Sequence, residues 1–348
     1  MTRRLLLVLG LGLGLSQVLG FTPAAQSTST LPSRLTDEAF WRMVTDSSEP
    51  NGYFRSDNLT SNELLYQYVI PDLMRRTQPG GVYLGVGPEQ NFTYMAAVRP
   101  AMAIIFDIRR GNLHTQLMYK AIFELARDRA EFVSLLFSKP RPPRLGPTST
   151  VTEIFAAFAG VPGSEALFAR TFQTMAERLT TVHKLALAPE DVSGIDYVFR
   201  AFYERGFAIR PTPTYDDLMT ATDEAGVSRS YLASEAGFVF LKDLQSRNLV
   251  IPIVGDFGGP RAIRSVGTYL RTHRARVTAF YLSNVEQYLY QDAKWTAFCR
   301  NVQALPLDAS STFIRSENNR GGRFGFSRGP GFVSSLGGMA AEVKDCGA

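Results

Sequence analysis

The chain has 348 residues, 45% of them hydrophobic and 20% charged, ordinary globular proportions that exclude a disordered or low-complexity protein. The length allows one large domain or two small ones and is ample for a buried core. The net charge is +5, or +3 once Arg3 and Arg4 are set aside (5 − 2), and the basic residues are scattered rather than clustered, so no nucleic-acid partner is expected.

Residues 1–25 read as a secretory leader. Arg3 and Arg4 form a basic start, Leu5 to Leu19 is an apolar run, and Thr22-Pro23-Ala24-Ala25 supplies small residues near a cleavage point. The apolar run has 15 residues, fewer than the roughly 20 that span a bilayer, so no stable membrane span is expected after leader cleavage. The expected location is therefore exported, periplasmic or secreted. The opening Thr2-Arg3-Arg4-Leu5-Leu6 also faintly resembles a twin-arginine signal.

Residues 26–50 read as a linker followed by a short amphipathic helix over Thr36 to Thr45. Thr60 and Glu63 fit a capping box, which predicts a helix from Asn62 towards Met74, kinked or split by Pro71. Gly81 to Gly85 reads as a strand, Asn91 to Val98 as a helix, and Ala101 to Ile108 as a strand buried on both faces. Leu113 to Phe137 is helical in period, with a break near Arg127-Asp128. From about 140 to 235 the alternation stops: a Pro-rich stretch precedes a mostly helical insertion, with Thr212 to Thr222 loop-like.

Alternation then resumes. Helices are predicted over Glu235 to Arg247, Arg261 to His273 and Val285 to Val302. Strands are predicted over Leu249 to Val254, where Pro252 is awkward for an interior position, over Val277 to Leu282, and over Thr312 to Arg315. Residues 316–348 read as a Gly-rich, flexible tail. Strands alternating with helices predict an α/β fold for residues 51–315: a doubly wound, Rossmann-like, mostly parallel sheet carrying the helical insertion.

Ligands bind such sheets at the carboxyl ends of the strands. The first strand runs into Gly85-Val86-Gly87-Pro88-Glu89-Gln90-Asn91, where glycines permit close approach and the next helix offers free N–H groups. Asp107 follows Gly85 by 22 residues, the spacing at which an acid meets a ribose hydroxyl. Gly85, Gly87, Glu89, Asn91 and Asp107 are therefore the candidate cofactor-binding residues. Later strands end near Asp256 and Asn284. Asp256 and Glu286 are the candidate bases, and Asn284, with Asp57 and Asn58 of a lid-like segment, the candidate substrate contacts. Arg109 and Arg110 read as a solvated helix start. His114, His183 and His273 lack metal-ligand spacing, so no metal is expected, and neither a Gly-x-Ser-x-Gly elbow nor a phosphate loop ending in Gly-Lys-Ser/Thr occurs. Cys299 and Cys346 are the two cysteines, either paired or both free.

The segments YLGVGPEQNFTYMAAVRPAMAIIFDIRR, NLHTQLMYKAIFELARDRAEF, VGDFGGP and FYLSNVEQYL resemble a family of bacterial proteins of uncharacterised activity that is grouped by fold with S-adenosylmethionine-dependent methyltransferases. The resemblance covers roughly residues 50–310. It implies S-adenosylmethionine as cofactor and Asp107 as the ribose-binding acid. The methyltransferase loop reads acid-x-Gly-x-Gly-x-Gly, and this chain has Tyr83, Gly85, Gly87 and Glu89 at those places, so the leading acid and the third glycine are absent. Three functions follow: group transfer from S-adenosylmethionine, non-catalytic binding of a small molecule in the strand-end crevice, or partner binding by the insertion. Export conflicts with the first, because the methyl donor is made in the cytoplasm.

Overall fold

The computed structural model describes residues 29–318 and 332–345. The expected leader, residues 319–331 of the expected tail and Cys346 lie outside them. The chain opens with α1 (Asp37–Ser47), whose N-cap Thr36 accepts from the Ala39 N–H at 3.1 Å. The core then runs α2 (Ile70–Arg76), β1 (Val82–Val86), α3 (Gln90–Val98), β2 (Met102–Asp107), α4 (Arg110–Leu125) and α5 (Arg129–Leu136). Asp128 breaks the helical stretch as expected, capping α5 by accepting from the Glu131 N–H at 2.8 Å.

The insertion comprises α6 (Val151–Ala159), α7 (Glu165–Glu177), α8 (Pro189–Arg205) and α9 (Tyr215–Thr220). The last corrects the loop expected over Thr212 to Thr222: Thr214 and Asp217 form a reciprocal capping box there. The α8 helix seats on α4 through Gly194, where a Cβ would meet the His114 ring at 2.1 Å. Beside that contact Asp191 accepts from Arg110 at 2.6 and 2.8 Å and pairs with His114 at 2.9 Å.

The chain continues through α10 (Glu235–Ser246), β3 (Val250–Val254), α11 (Ala262–Thr272), β4 (Val277–Ser283), α12 (Val285–Gln291), α13 (Trp295–Gln303), β5 (Thr312–Asn318), β6 (Phe332–Gly338) and α14 (Met339–Glu342). The helix expected from Val285 to Val302 is broken by Ala293, whose φ of 55° is left-handed. All six strands form one sheet in the order β3-β2-β1-β4-β5-β6, parallel except for the antiparallel β5–β6 pair. The β2 strand is buried along its whole length, as a parallel strand covered on both faces must be. Pro252 is tolerated because β3 is an edge strand. The other edge is β6, in the segment expected to be a flexible tail. It pairs with β5 from Thr312–Gly338 to Asn318–Phe332 and so adds a sixth strand.

Candidate functional site

A cleft of about 640 Å³ opens over the carboxyl ends of the central strands, within the range of small-molecule sites. The end of β1 contributes Gly87, whose φ of 76° suits glycine and whose Cβ position faces open space. The end of β2, beside it, contributes Asp107. Its Oδ1 accepts from the Arg109 N–H at 2.9 Å, while Oδ2 has no hydrogen-bond partner among the described residues. Burial pushes this carboxyl up to about 6, against the nearby Arg109 guanidinium and the backbone hydrogen bond.

Gly85 and Asn91 serve the loop rather than the cleft. Asn91 is fully buried, and its Oδ1 accepts from the Tyr83 hydroxyl at 2.9 Å. Its Nδ2 donates to the carbonyls of Val86 (2.9 Å), Gly87 (3.3 Å) and Pro88 (2.7 Å). Gly85 has no side chain because Asn91 occupies that space. Glu89 also turns inward: it is fully buried, and its Oε1 accepts from the Ser61 N–H at 3.1 Å. Burial pushes its carboxyl up to about 7. It sits at the N-cap of α3 but makes no side-chain capping bond to the helix, and its Oε2 is buried without a partner among the described residues. The first-turn residues Gln90 and Asn91 are buried away from the cleft.

The floor is built on Glu63, which residue spacing had assigned to a helix cap. The helix expected from Asn62 starts later: the chain is irregular to Leu65, a 3-10 turn covers Tyr66–Val69, and α2 begins at Ile70 with Pro71 in its first turn. Glu63 instead reaches inward and is 2% exposed. Its Oε1 accepts from the Tyr281 hydroxyl at 2.9 Å and from Ser283, and its Oε2 accepts from Gln90 Nε2 at 2.8 Å. Burial raises its pKa, and these donors oppose the rise. Ser283, at the end of β4, holds a left-handed φ of 51°, a strained conformation for a residue with a side chain.

The other nominated residues divide. Asn284 lines the cleft, and so does Asp256, but Asp256 is paired with Lys294 at 2.5 Å and accepts from the Gly258 N–H at 2.9 Å. Glu49 latches the same loop, accepting from the N–H groups of Asp256, Arg261 and Ala262. Glu286 is held by Arg315 at 2.6 and 3.0 Å and does not line the cleft. Asn58 lines it; Asp57 does not, and holds the Tyr197 hydroxyl at 2.8 Å and Arg109 at 3.2 Å. Arg109 thus anchors the segment around Asp57 and Arg110 anchors α8. Glu63, Tyr281, Ser283 and Lys294 were not nominated from sequence.

Among the described residues no group of three His, Cys, Asp or Glu side chains is placed to hold a metal ion, and no helix is long and apolar enough to cross a membrane. No curated protein matches the chain. The family described as Domain of unknown function (DUF7790) matches residues 58–143 and 154–338, which takes in β1 to β6 and most of the helices between β2 and β3. The chain belongs to the DUF7790 family.

Proposed function

We propose that the chain is a doubly wound, Rossmann-like domain whose strand-end cleft binds an adenosyl compound, S-adenosylmethionine foremost, for group transfer to a small acceptor. The observation that carries this reading is Asp107: a cleft-lining carboxylate one strand from Gly87 whose Oδ2 has no hydrogen-bond partner among the described residues, so that a ribose hydroxyl in the cleft would have an acceptor. The strand order 3-2-1-4-5-6 supports the same fold. The missing third glycine is no obstacle, since the Glu89 side chain is buried behind the loop. S-adenosylmethionine, when bound, supplies an electrophilic methyl group. Asp107 and the Gly87 backbone would hold its nucleoside end, and the Glu63–Tyr281–Ser283 group would present hydroxyls to the acceptor.

The test is calorimetric titration of the purified chain with S-adenosylhomocysteine, adenosine and a nicotinamide dinucleotide. S-adenosylhomocysteine is expected to bind, at least tenfold more weakly to Asp107→Asn, and the dinucleotide to bind poorly. Indifference to every adenosyl compound would overturn the reading. A second reading, a non-catalytic binder, is favoured by the ion pairs on both nominated bases: Asp256 with Lys294, and Glu286 with Arg315. Ligand binding without turnover over a broad set of acceptors would select it. Export, proposed from the Arg3-Arg4 start and the apolar run, is tested by N-terminal sequencing of protein from the native host; an intact Met1 or Thr2 in a cytoplasmic fraction would refute it.

A further inference from the structure

The main cleft continues into a second compartment of about 330 Å³. Ser56, Asn58, Thr60 and Arg210 line both, so a ligand in one can extend into the other. The far side of the second compartment comes from the insertion: Arg205 ends α8, and Ile209, Pro211 and Thr212 follow it.

The charges around this space do not balance. Two guanidinium groups, Arg205 and Arg210, face a single carboxylate, Asp57. Asp57 is already engaged, with Oδ2 on the Tyr197 hydroxyl and Oδ1 on Arg109. Among the described residues neither Arg205 nor Arg210 has an ion-pair or hydrogen-bond partner. Glu89 feels the field of Arg210 from the interior, beyond ion-pair distance. The carbonyl end of α8 adds only about half a negative charge against two full positive ones. Hydroxyls of Ser56 and Thr60 add donors to the same walls, while that of Thr212 is spent on the Pro211 carbonyl at 2.7 Å. Arg205 is exposed at the rim and Arg210 is half-buried. A concave surface with surplus guanidinium charge selects an anion, and a planar guanidinium matches phosphate or carboxylate oxygens in pairs.

We propose that this compartment binds the phosphate or carboxylate group of a small acidic acceptor whose body reaches into the main cleft. The proposal rests on the main cleft being a ligand site, but its test does not depend on an adenosyl compound. The purified full chain is titrated at constant ionic strength with inorganic phosphate and with malonate, following its melting temperature. At least one of the two anions is expected to give saturable stabilisation. Arg210→Met should weaken that response at least tenfold, Arg210→Lys should retain part of it, and Arg42→Met, on the exposed face of α1, should leave it unchanged. Should Arg210→Met fold poorly, Arg205→Met gives the same reading. Asp107→Asn should keep the anion response, so a failed adenosyl titration and a failed anion titration are separate results. No saturable response to either anion, or an undiminished response in folded Arg210→Met, would overturn the proposal.

Discussion

A methyl group on Gly85 would sit 1.8 Å from the Oδ1 of Asn91. The two residues lock the β1–α3 loop together, one by having no side chain and the other by filling the space with hydrogen bonds. Gly85→Ala should cost about 1–3 kcal/mol through overpacking. Asn91→Ala should cost a similar amount by leaving the buried Tyr83 hydroxyl without its acceptor. The double variant should lose less than the sum, because removing the Asn91 amide relieves the clash. Urea unfolding of the four proteins measures this, and strict additivity would contradict it.

Glu89 should make the protein less stable as pH rises. Its folded pKa, about 7, lies above the ordinary glutamate value of 4.5, so the native state holds a proton that the unfolded chain has released. The stabilisation is complete below about pH 4.5 and is lost as pH rises through 7. At about 1.4 kcal/mol per unit, the shift amounts to about 3 kcal/mol. Asp107, pushed up to about 6, adds to the slope with the same sign. Glu89→Gln should match the wild type at pH 4 and exceed it at pH 8. Parallel stability–pH profiles for the two proteins would rule this out.

Asp191 should anchor the insertion. Burial pushes its carboxyl up, but hydrogen bonds from Arg110 and His114 outweigh that and bring it down to about 2. A depressed folded pKa contributes stability above the unfolded value that is lost as pH falls through 2. Asp191→Ala should cost about 2–3 kcal/mol, less than a fully buried pair because Arg110 is 41% exposed. Hydrogen exchange should quicken first in α8, with the sheet core still protected. Uniform loss of protection would show that the insertion does not open on its own.

Glu286 and Asp107 should separate in their effect on ligand. Glu286→Gln weakens the Arg315 pair on β5 and should lower stability by about 1 kcal/mol. It should leave stabilisation by S-adenosylhomocysteine intact, whereas Asp107→Asn should diminish it. The readout is the ligand-induced change in melting temperature of each variant, and an equal loss in both would place Glu286 back in the site.

Much of the sheet was legible in the residue pattern. The AMAIIFDI run reads as a strand buried on both faces, and β2 is one. Pro252 warned against an interior place, and β3 is at the edge. The break at Asp128 was visible for the same reason: local chemistry decides where helices start and stop. Two local signals misled or were missed. Thr60 and Glu63 have capping-box spacing but cap nothing, the helical turns beginning only at Tyr66, while Thr214 and Asp217 have it inside a stretch expected to be loop-like.

The sequence by itself determined the mostly parallel α/β sheet, the Gly87 loop at a strand end and the acid at Asp107, because strand burial, backbone freedom at glycine and residue spacing act over short stretches of chain. Only the tertiary structure decided which polar residues meet. Glu63 finds Tyr281 from 218 positions away, Lys294 finds Asp256 across 38, and β6 closes the sheet edge after the chain has left the predicted domain. A carboxylate's partners and burial depend on how distant segments pack, and these set whether Asp256 is ion-paired, Glu89 is buried or Asp107 is open to a ligand.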